Sequence, residues 1–589
     1  RDVLKNSLTI YLDDFDPNKM YLLASEVAPY TNVEGHVLDR IFFDYGQNRY
    51  TAYQEIDQLI QRAIRRARPI RQVLLQNPNA LFHAALKEEV ADESEEYPLT
   101  VAQLRERIRR ELVAYLKEKA DVYGIQVFNR RREFFLTKHL EQLQQHENAY
   151  LYENSAGRPL NPSERENLYA LHILKALTHA IDSHTEFFNP DEAFDLRIGL
   201  EKEFEGVGVD IEQRGGGYFI SKVYPGSPAD KSNEIEIEDQ LIKVDGKEVS
   251  QLTAEQIAEK LRGKKGTPIN LILKRQQPRQ DLYIYVKLIR DLISLDDERV
   301  QIEQETYGNG IIGILKMDAF YKSNHGVSSV GDLRQAIEKL KYGNRLKGLI
   351  LDLRDNSGGF LTQAVEVAGL FITNGIVVIS KYKDGEEKIY RDMDGTLSYD
   401  GPLVVLTSKA TASAAEIVAQ ALQDWGVALI VGDTSTYGKG TIQTQTVTSN
   451  PSSPQFKVTV GQYYTVSGQT PQGDGVHPDI LVPSRFAEAQ FEREPEKIFL
   501  PDTIPEAYRD PLKDIKNNER SWFVETYMPK LQQRNTNWQK ILPRLKNRSF
   551  ARVENNPDYS RFKKGEVEDD LQLKEAIAIV KDMILFAPH

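Results

Sequence analysis

The stretch 409–445 constrains the fold most, because it joins a helix-type pattern to a strand-type pattern. Apolar residues recur every three to four positions over 417–425, as in an amphipathic helix, and 427–431 is a short apolar run typical of a buried strand. Ser413 lies among alanines where the helix would begin, and Lys439 lies between two glycines after the strand. In α/β folds, ligands bind at the sheet edge where strands end and helices begin. We therefore expect both residues at such an edge.

Ser413 has two interpretations. In the structural one, Ser-x-x-Glu before an apolar run is a capping box, in which Ser413 and Glu416 bind free N–H groups of the helix. In the chemical one, Ser413 is a nucleophile, because the alanines at 412, 414 and 415 leave space around its hydroxyl. A serine needs a base to take its proton, and a buried lysine can serve because burial lowers its pKa. Lys439 is the lysine that this interpretation requires.

Two other lysine motifs do not fit. A phosphate-binding loop needs four residues between its first glycine and the Gly-Lys pair, followed by Ser or Thr. After Gly432 there are five residues, and Gly440 follows the lysine. Ser380 and Lys383 match the Ser-x-x-Lys motif of penicillin-binding enzymes, but they lie on a predicted strand with no helix after it. Neither motif explains the chemistry of the stretch.

Thr-Ala-Ser-Ala-Ala-Glu-Ile followed by Tyr-Gly-Lys-Gly-Thr-Ile-Gln resembles the carboxyl-terminal processing, or tail-specific, protease family, whose members are Ser/Lys serine endopeptidases. The resemblance implies that Ser413 is the nucleophile, Lys439 the general base and Gln443 the residue that orients the lysine. If 440–447 is a strand, alternate positions from Lys439 to Gln443 share one face. The lysine loop, 433–437, is one residue longer than in many relatives.

A second glycine-rich turn follows the apolar run 346–353 and ends at Gly359. Glycines at a strand-to-helix turn let backbone N–H groups approach an anionic oxygen closely, although a plain tight turn is the alternative. The resemblance implies that the N–H groups of Gly359 and Ala414 form the oxyanion hole. It also gives Asp424 a supporting role. An acid at a helix C-terminus opposes the macrodipole, so we expect Asp424 to have a compensating partner.

The region 196–290 changes to short strands and turns and resembles a bacterial PDZ domain. A glycine-containing turn would bind the terminal carboxylate of a peptide, and the neighbouring strand edge would add the peptide as an extra strand. The alternative is that its glycines merely permit a turn. The predicted carboxylate loop consists of Phe204, Glu205, Gly206, Val207 and Gly208.

The predicted fold class is multidomain α+β: an α/β serine protease core with an inserted PDZ domain, flanked by mainly helical domains. The predicted domains are 1–195 (helical), 196–290 (PDZ), 291–485 (protease core) and 486–589 (helical). In the first domain Ile56, Ile60 and Ile64 recur at helical spacing, and in the last domain helices are predicted over 522–531 and 571–586. Arginine clusters in the first domain are interleaved with acidic residues, which favours solvated helix faces over a nucleic-acid or lipid contact.

Composition excludes several classes of function. The chain has 589 residues, 75 Lys+Arg against 87 Asp+Glu and a net charge of −12, so we expect no nucleic-acid partner. It has no cysteine, which excludes disulfides and thiol catalysis. His179 and His184 fit no metal-binding spacing, His477 is predicted to be structural, and we expect neither a metal nor a cofactor. No apolar run approaches the roughly 18 residues of a membrane span.

The sequence therefore predicts a serine endopeptidase whose PDZ domain captures apolar C-terminal tails of protein substrates. A different class stays open: a non-catalytic PDZ scaffold or chaperone-like binding protein. The resemblance implies a periplasmic or otherwise exported protein with a role in protein quality control, and a homodimer or a regulatory partner protein is an expected association. The chain begins at Arg1, so a targeting segment is expected to have been removed.

Overall fold

The computed structural model divides into two compact units, Arg1–Asn189 with Gln213–Gly217 and Pro454–Lys457, and Pro190–Glu212 with Tyr218–Ser453 and Val458–His589. The residues that it describes are 1–31, 33–87, 96–154, 157–214, 217–252, 254–277, 280–445, 455–485, 487–488, 500–501, 503–564, 567 and 569–587.

The first unit is built from amphipathic helices around one apolar core. As predicted from their spacing, Ile56, Ile60 and Ile64 are fully buried on one face of the fourth helix. Arg66 binds Glu26 at 2.7 Å in this unit, so part of the arginine cluster serves the fold rather than a partner. The helices are α1 Asp2–Phe15, α2 Ala24–Thr31, α3 Gly35–Gly46, α4 Thr51–Leu74, α5 Pro78–Lys87, α6 Val101–Tyr123, α7 Ile125–Leu151 and α8 Pro162–His179, followed by the strand β1 Glu186–Phe188.

The second unit begins with α9 (Pro190–Glu201) and the region predicted to be a PDZ domain. Its main sheet has the order β3-β4-β5-β7-β8, with β6 beside β5, while β2 pairs separately with β9. In this order β3 is an edge strand. The elements are β2 Glu203–Gly206, β3 Val209–Arg214, β4 Gly217–Val223, α10 Pro228–Ser232, β5 Gln240–Val244, β6 Lys247–Glu248, α11 Ala254–Leu261, β7 Pro268–Arg275, β8 Leu282–Ile289 and β9 Asp291–Ser294.

A six-stranded sheet with the order β10-β11-β12-β15-β16-β19 forms the centre of this unit. β10 is antiparallel to β11, and the remaining neighbours are parallel. Apart from the edge strand β10, which is polar and mostly exposed, its strands are near-continuous apolar runs because both faces are covered. They are β10 Gln301–Tyr307, β11 Gly310–Lys316, β12 Leu346–Asp352, β15 Leu403–Thr407, β16 Leu429–Gly432 and β19 Ile480–Leu481.

One face of the sheet packs against three helices and a second sheet. In the second sheet β13 lies between β14 and β18, and β17 pairs with β18. The strand predicted over 440–447 is observed as Thr441–Gln445, and 446–447 lie outside the described residues. The elements are α12 Ser329–Lys341, α13 Leu361–Ala368, β13 Gly375–Tyr382, β14 Glu387–Asp392, α14 Ala414–Asp424, β17 Thr441–Gln445 and β18 Gln455–Thr465.

The opposite face is covered by helices from the C-terminal part of the chain. A Cβ atom on Gly348 of β12 would lie 2.3 Å from Val580 Cγ1, so this glycine permits the close approach of the last helix. That helix was predicted over 571–586 and is observed there. The elements are α15 Asn517–Trp522, α16 Asn537–Glu554, α17 Tyr559–Phe562 and α18 Leu571–Phe586.

The helix predicted over 522–531 is wrong in detail. α15 ends at Trp522, and the chain continues as a π turn, Phe523–Tyr527, and a 3-10 turn, Met528–Lys530. Pro529 lacks an N–H group and its ring clashes with the carbonyl group four residues earlier, which disfavours a regular α-helix here, although α4 and α16 continue past Pro69 and Pro543.

Candidate active site

Three turns of the central sheet lie side by side, because β12, β15 and β16 are parallel neighbours. In their register, Asp352 is opposite Leu406, and Leu406 is opposite Val431. Along the chain, Gly359 lies seven residues after Asp352 and Ser413 lies seven residues after Leu406. Lys439 lies eight residues after Val431. The predicted oxyanion turn, nucleophile and base therefore leave the same edge of the sheet, as expected for an α/β site.

Ser413 occupies the turn between β15 and α14 with a backbone of φ 57° and ψ −117°. This conformation is uncommon for a residue with a side chain and is a form of strain that concentrates at functional sites. The alanines on both sides, Ala412 and Ala414, are buried, whereas Ser413 is partly exposed. The turn thus presents the serine at the surface of a packed region.

The loop that joins β16 to β17 covers 433–440 in the structure, and the name lysine loop is used for this whole range from here on. A tyrosine connects it to the serine turn. The hydroxyl oxygen of Tyr463 lies 3.0 Å from the carbonyl oxygen of Ser413 and 2.6 Å from that of Lys439, and its single proton is shared between these two acceptors. Burial raises the pKa of Tyr463, which keeps the hydroxyl a donor. Tyr463 could not be predicted as a site residue from the sequence, since a tyrosine in an alternating strand carries no signal of its own.

Glu416 makes a second connection. Its carboxylate accepts the N–H of Ser413 at 2.8 Å, which is the glutamate half of the predicted capping box. The same carboxylate accepts the N–H groups of Gly438 and Lys439, each at 2.8 Å. Burial raises the pKa of Glu416 to about 7. The residue that the sequence analysis treated as a helix cap therefore also holds the lysine loop.

The glycine turn lies directly against the serine. A Cβ atom on Gly358 would be 2.7 Å from Ser413 Cβ and 3.2 Å from the nitrogen of Ala414. On its other side, Phe320 N donates to Gly358 O at 2.8 Å and Phe360 N donates to Phe320 O at 2.9 Å. Among the described residues, neither the N–H of Gly359 nor that of Ala414 has an acceptor. Two donors beside the serine are thus available to an oxyanion.

Gln443 lies on β17, in the strand that follows the lysine loop. Its side-chain amide donates to the hydroxyl groups of Thr441 at 2.8 Å and Thr459 at 3.3 Å. These contacts fix the plane of the amide. That Gln443 orients Lys439 stays a prediction.

Asp424 lies at the far end of α14 and is buried. A compensating partner was expected for Asp424, and its carboxylate accepts from three neutral donors. They are the Thr465 hydroxyl at 2.7 Å, the Ser467 N–H at 3.1 Å and the Gln420 amide at 2.9 Å. These bonds tie the helix that begins at Ser413 to the end of β18. Hydrogen bonds to the ionised form offset the unfavourable interaction with the helix macrodipole.

The predicted carboxylate loop is bound to the end of α11. The N–H of Val207 donates to Leu261 O at 3.1 Å, and Glu205 O accepts from Gly263 N at 3.3 Å. Gly208 has φ 82°, and a Cβ atom there would lie 2.1 Å from Ser227 Cβ, so only glycine fits this turn.

The other two residues of the predicted carboxylate loop, Phe204 and Gly206, contact residues outside the loop and so help to fix its position. The ring of Phe204 packs edge-on against Tyr224 with centroids 5.3 Å apart. Gly206 forms a bridge with Arg262, next to the end of α11. The loop precedes the edge strand β3, which is the arrangement that strand addition of a peptide requires.

His477 is largely exposed, and its ring nitrogens lie 3.0 Å from Thr434 O and from an Asp474 carboxylate oxygen. Within the described part of the chain, no group of three His, Cys, Asp or Glu side chains could hold a metal ion. Among the helices that the structure describes, none has the length and apolarity of a membrane span.

Comparisons with known proteins give three family matches: peptidase family S41 over 311–482, tail specific protease N-terminal domain over 1–191, and PDZ domain over 195–274. Similar solved structures include the photosystem II D1 C-terminal processing protease, at 27% identity and TM-score 0.31, covering 58% of this chain and 86% of that chain. A PDZ domain of the carboxy-terminal protease from Vibrio cholerae in complex with peptide matches at 22% identity and TM-score 0.15, covering 16% of this chain and 99% of that chain.

Two relatives carry the assignment. The tail-specific protease of Haemophilus influenzae is 30% identical over 367 residues, which is 60% of this chain and 51% of the relative, so the chain spans about half its length. The carboxy-terminal-processing protease of Bartonella bacilliformis is 32% identical over 313 residues, 52% of this chain and 68% of the relative. These matches confirm the predicted fold class, and the chain belongs to the carboxy-terminal processing, or tail-specific, proteases of peptidase family S41.

Proposed function

We propose that this protein is a serine endopeptidase that cleaves protein substrates selected by their apolar C-terminal tails. The observation that supports it most is the meeting of three turns at one sheet edge, where Gly358 abuts Ser413 and Tyr463 binds the carbonyl groups of both Ser413 and Lys439. A chain that only binds partners has no physical need for a strained serine beside two N–H donors that have no acceptor in the part of the chain that the structure describes.

In the proposed reaction, Ser413 Oγ attacks the scissile carbonyl carbon while the Lys439 amine takes the hydroxyl proton. The N–H groups of Gly359 and Ala414 bind the oxyanion, and losing one such donor typically costs about 100- to 1000-fold in rate. Lys439 then gives its proton to the leaving amine, and the C–N bond breaks to leave an acyl-enzyme. Water, deprotonated by Lys439, releases the acyl group and restores Ser413.

Two further residues have proposed supporting roles. Gln443, whose amide is fixed by two threonine hydroxyls, orients the Lys439 amine. Asp424 anchors the C-terminal end of α14 and so holds Ser413 at the other end of that helix. In this proposal both residues position the catalytic side chains and do not act on the substrate.

The tail-binding proposal rests on the PDZ region. An extended C-terminal tail would pair with edge strand β3, and its carboxylate would approach Gly208, whose N–H has no acceptor among the described residues. If the substrate also bound the N–H of Val207, the hydrogen bond from this N–H to Leu261 O would have to break.

We retain the division into 1–195, 196–290, 291–485 and 486–589 as a proposed domain organisation. The periplasm or another exported location, and association as a homodimer or with a regulatory protein, are likewise proposed on the basis of the family. The proposed substrates are proteins that are degraded in protein quality control.

The test is digestion of an unfolded protein carrying either an apolar or a charged C-terminal tail. Ser413→Ala should abolish cleavage while leaving the protein folded, because losing a cap costs only about 1 kcal/mol. Lys439→Arg should be almost as inactive, since a guanidinium group stays protonated. Matched controls are Ser380→Ala and Lys383→Arg, which alter the other Ser-x-x-Lys pair and should retain activity.

Cleavage that requires Ser413 and falls with the charged tail supports the proposal. Near-normal activity of Lys439→Arg would refute the assignment of the base. If no variant and no wild-type protein cleaves while the apolar tail still binds, the non-catalytic scaffold or chaperone-like function is the better description.

A further inference from the structure

We propose that Glu416 is a positioning residue of the protease: its ionised carboxylate clamps the serine turn to the lysine loop and thereby sets the approach of Lys439 to Ser413. The inference rests on the proposed function, and it adds a residue that neither touches substrate nor belongs to the Ser/Lys pair.

The geometry of the carboxylate carries the inference. Oε2 accepts the N–H of Ser413 and the N–H of Lys439, both at 2.8 Å, so one oxygen atom bridges the backbones of the nucleophile and the base. Oε1 accepts the N–H of Gly438 at 2.8 Å and the hydroxyl of Thr436 at 2.5 Å. A carboxylate has about four acceptor sites, so all of them are used.

A helix cap alone does not explain these contacts. A capping box requires one bond from the glutamate to the N-cap N–H, which the Ser413 N–H supplies. The other three donors come from the lysine loop, 20 to 23 residues further along the chain. Because the side chain of Glu416 is fully buried, no water competes for the carboxylate, and each bond is stronger than it would be at the surface.

The contacts also require the charged form. Both neighbours of Oε2 are N–H donors, so a proton on this oxygen would face a donor and break the bridge. A proton on Oε1 could be donated to Thr436 Oγ1 only if the threonine hydroxyl, which donates to Oε1 and accepts the N–H of Val476, turned its own proton away from the carboxylate. Protonation of Glu416 is therefore expected to loosen the hold on the lysine loop.

Titration of this group falls in the neutral range, because burial raises the pKa of Glu416 to about 7 against the lowering effect of its hydrogen bonds. The titratable side chains on the surrounding elements include Tyr463 on β18, Asp433, Tyr437 and Lys439 on the lysine loop, and Asp424 at the far end of α14. Asp433 is held by the hydroxyl and N–H of a serine, and the pKa of Tyr463 is raised by burial and by the charge of Glu416.

The main test is Glu416→Gln, which keeps the shape but replaces one acceptor oxygen with an NH2 group that opposes N–H donors. We expect kcat to fall about 100-fold, the typical cost of misplacing a catalytic group by about 1 Å, with KM little changed. The matched control is Asp16→Asn in the first unit. Asp16 is also buried and accepts three backbone N–H groups, from Met20, Tyr21 and Leu22. That control should lose stability but keep kcat.

The pH profile separates positioning from a purely structural role. In the wild type, kcat should fall on the acidic side with a slope approaching two in log kcat against pH, because both Glu416 and Lys439 must be deprotonated. In Glu416→Gln the slope should drop to one. Thr436→Val, which removes one donor to the charged form, should keep the slope and move the acidic limb to higher pH.

Ser413→Ala, assayed in parallel, distinguishes the two proposals. If Ser413→Ala retains activity, the proposed function is wrong. If Ser413→Ala is inactive while Glu416→Gln retains kcat and the wild-type slope, only the clamp is refuted. Should Glu416→Gln fail to fold, the unshifted acidic limb of a folded Thr436→Val variant would refute it instead.

Discussion

Replacing Gly358 with alanine tests the closeness of the glycine turn to Ser413. The added Cβ atom would lie 2.7 Å from Ser413 Cβ, whereas ordinary contacts begin at 3.4 Å. Ser413 or the turn must therefore move by about 0.7 Å, and the turn is held from behind by the Phe320 backbone. We expect the serine to be displaced from the lysine loop and the oxyanion donors.

The magnitude follows from two separate effects. Gly358 has φ 110°, and holding a residue with a side chain in such a region costs about 1–3 kcal/mol of stability. The displacement adds a catalytic effect, since misplacing a group by about 1 Å costs roughly 100-fold in rate. Stability should thus fall modestly, while kcat/KM should fall by about two orders of magnitude.

The assay compares Gly358→Ala with Gly385→Ala in chemical denaturation and in cleavage of the apolar-tailed substrate. Gly385 has φ 91°, but a Cβ atom there would have no neighbour within 4 Å, so this control has the strain without the crowding. We expect similar losses of stability and a loss of activity in Gly358→Ala alone. Full activity in a folded Gly358→Ala protein, or equal inactivation of both variants, would refute the reasoning.

Three other predictions concern the packing around the site. Arg354→Gln removes the ion-pair partner of Asp352, whose side chain is 2% exposed, and should cost about 3–5 kcal/mol in denaturant unfolding; an unchanged midpoint would contradict this. Burial raises the pKa of Asp392 to about 7, above its value in the unfolded chain. The contribution of this group to stability is therefore lost as the pH rises from about 4 to 7. Asp392→Asn should make the melting temperature depend less on pH over this range. Gly348→Ala should destabilise by about 1–3 kcal/mol through contact with Val580, and Val580→Ala should relieve part of the loss in a double-mutant cycle.

Local patterns predicted the elements of the sheet well. The apolar run at 346–353 is β12, Leu346–Asp352, and the periodic stretch at 571–586 is α18. Both are long or strongly patterned, so burial on two faces or on one stripe leaves a clear signal in the sequence. Ser413, Lys439 and Gly359 stand out in the sequence because each belongs to a turn between such elements, and their roles stay predictions.

Contacts between distant parts of the chain could not be predicted in the same way. Tyr463 is 50 residues from Ser413, and Glu416 is 23 residues from Lys439. Their roles depend on which strands are neighbours, and strand order is not written in the local pattern. The covering of the central sheet by α18 is of the same kind, because an apolar stripe does not identify its partner.

The capping interpretation of Ser413 is weakened by comparison with other caps of this protein. Thr100, Asn161, Ser227 and Ser328 all have extended backbones, with φ from −157° to −68° and ψ from 148° to 167°, and each accepts a bond from the N–H three residues later. Ser413 has φ 57° and ψ −117°. An ordinary cap reaches its geometry without strain, so the cap alone gives no reason for this backbone. A requirement to hold the serine between the glycine turn and the lysine loop does give a reason. The cap bond is then made by the carboxylate of Glu416, which accepts the N–H of Ser413.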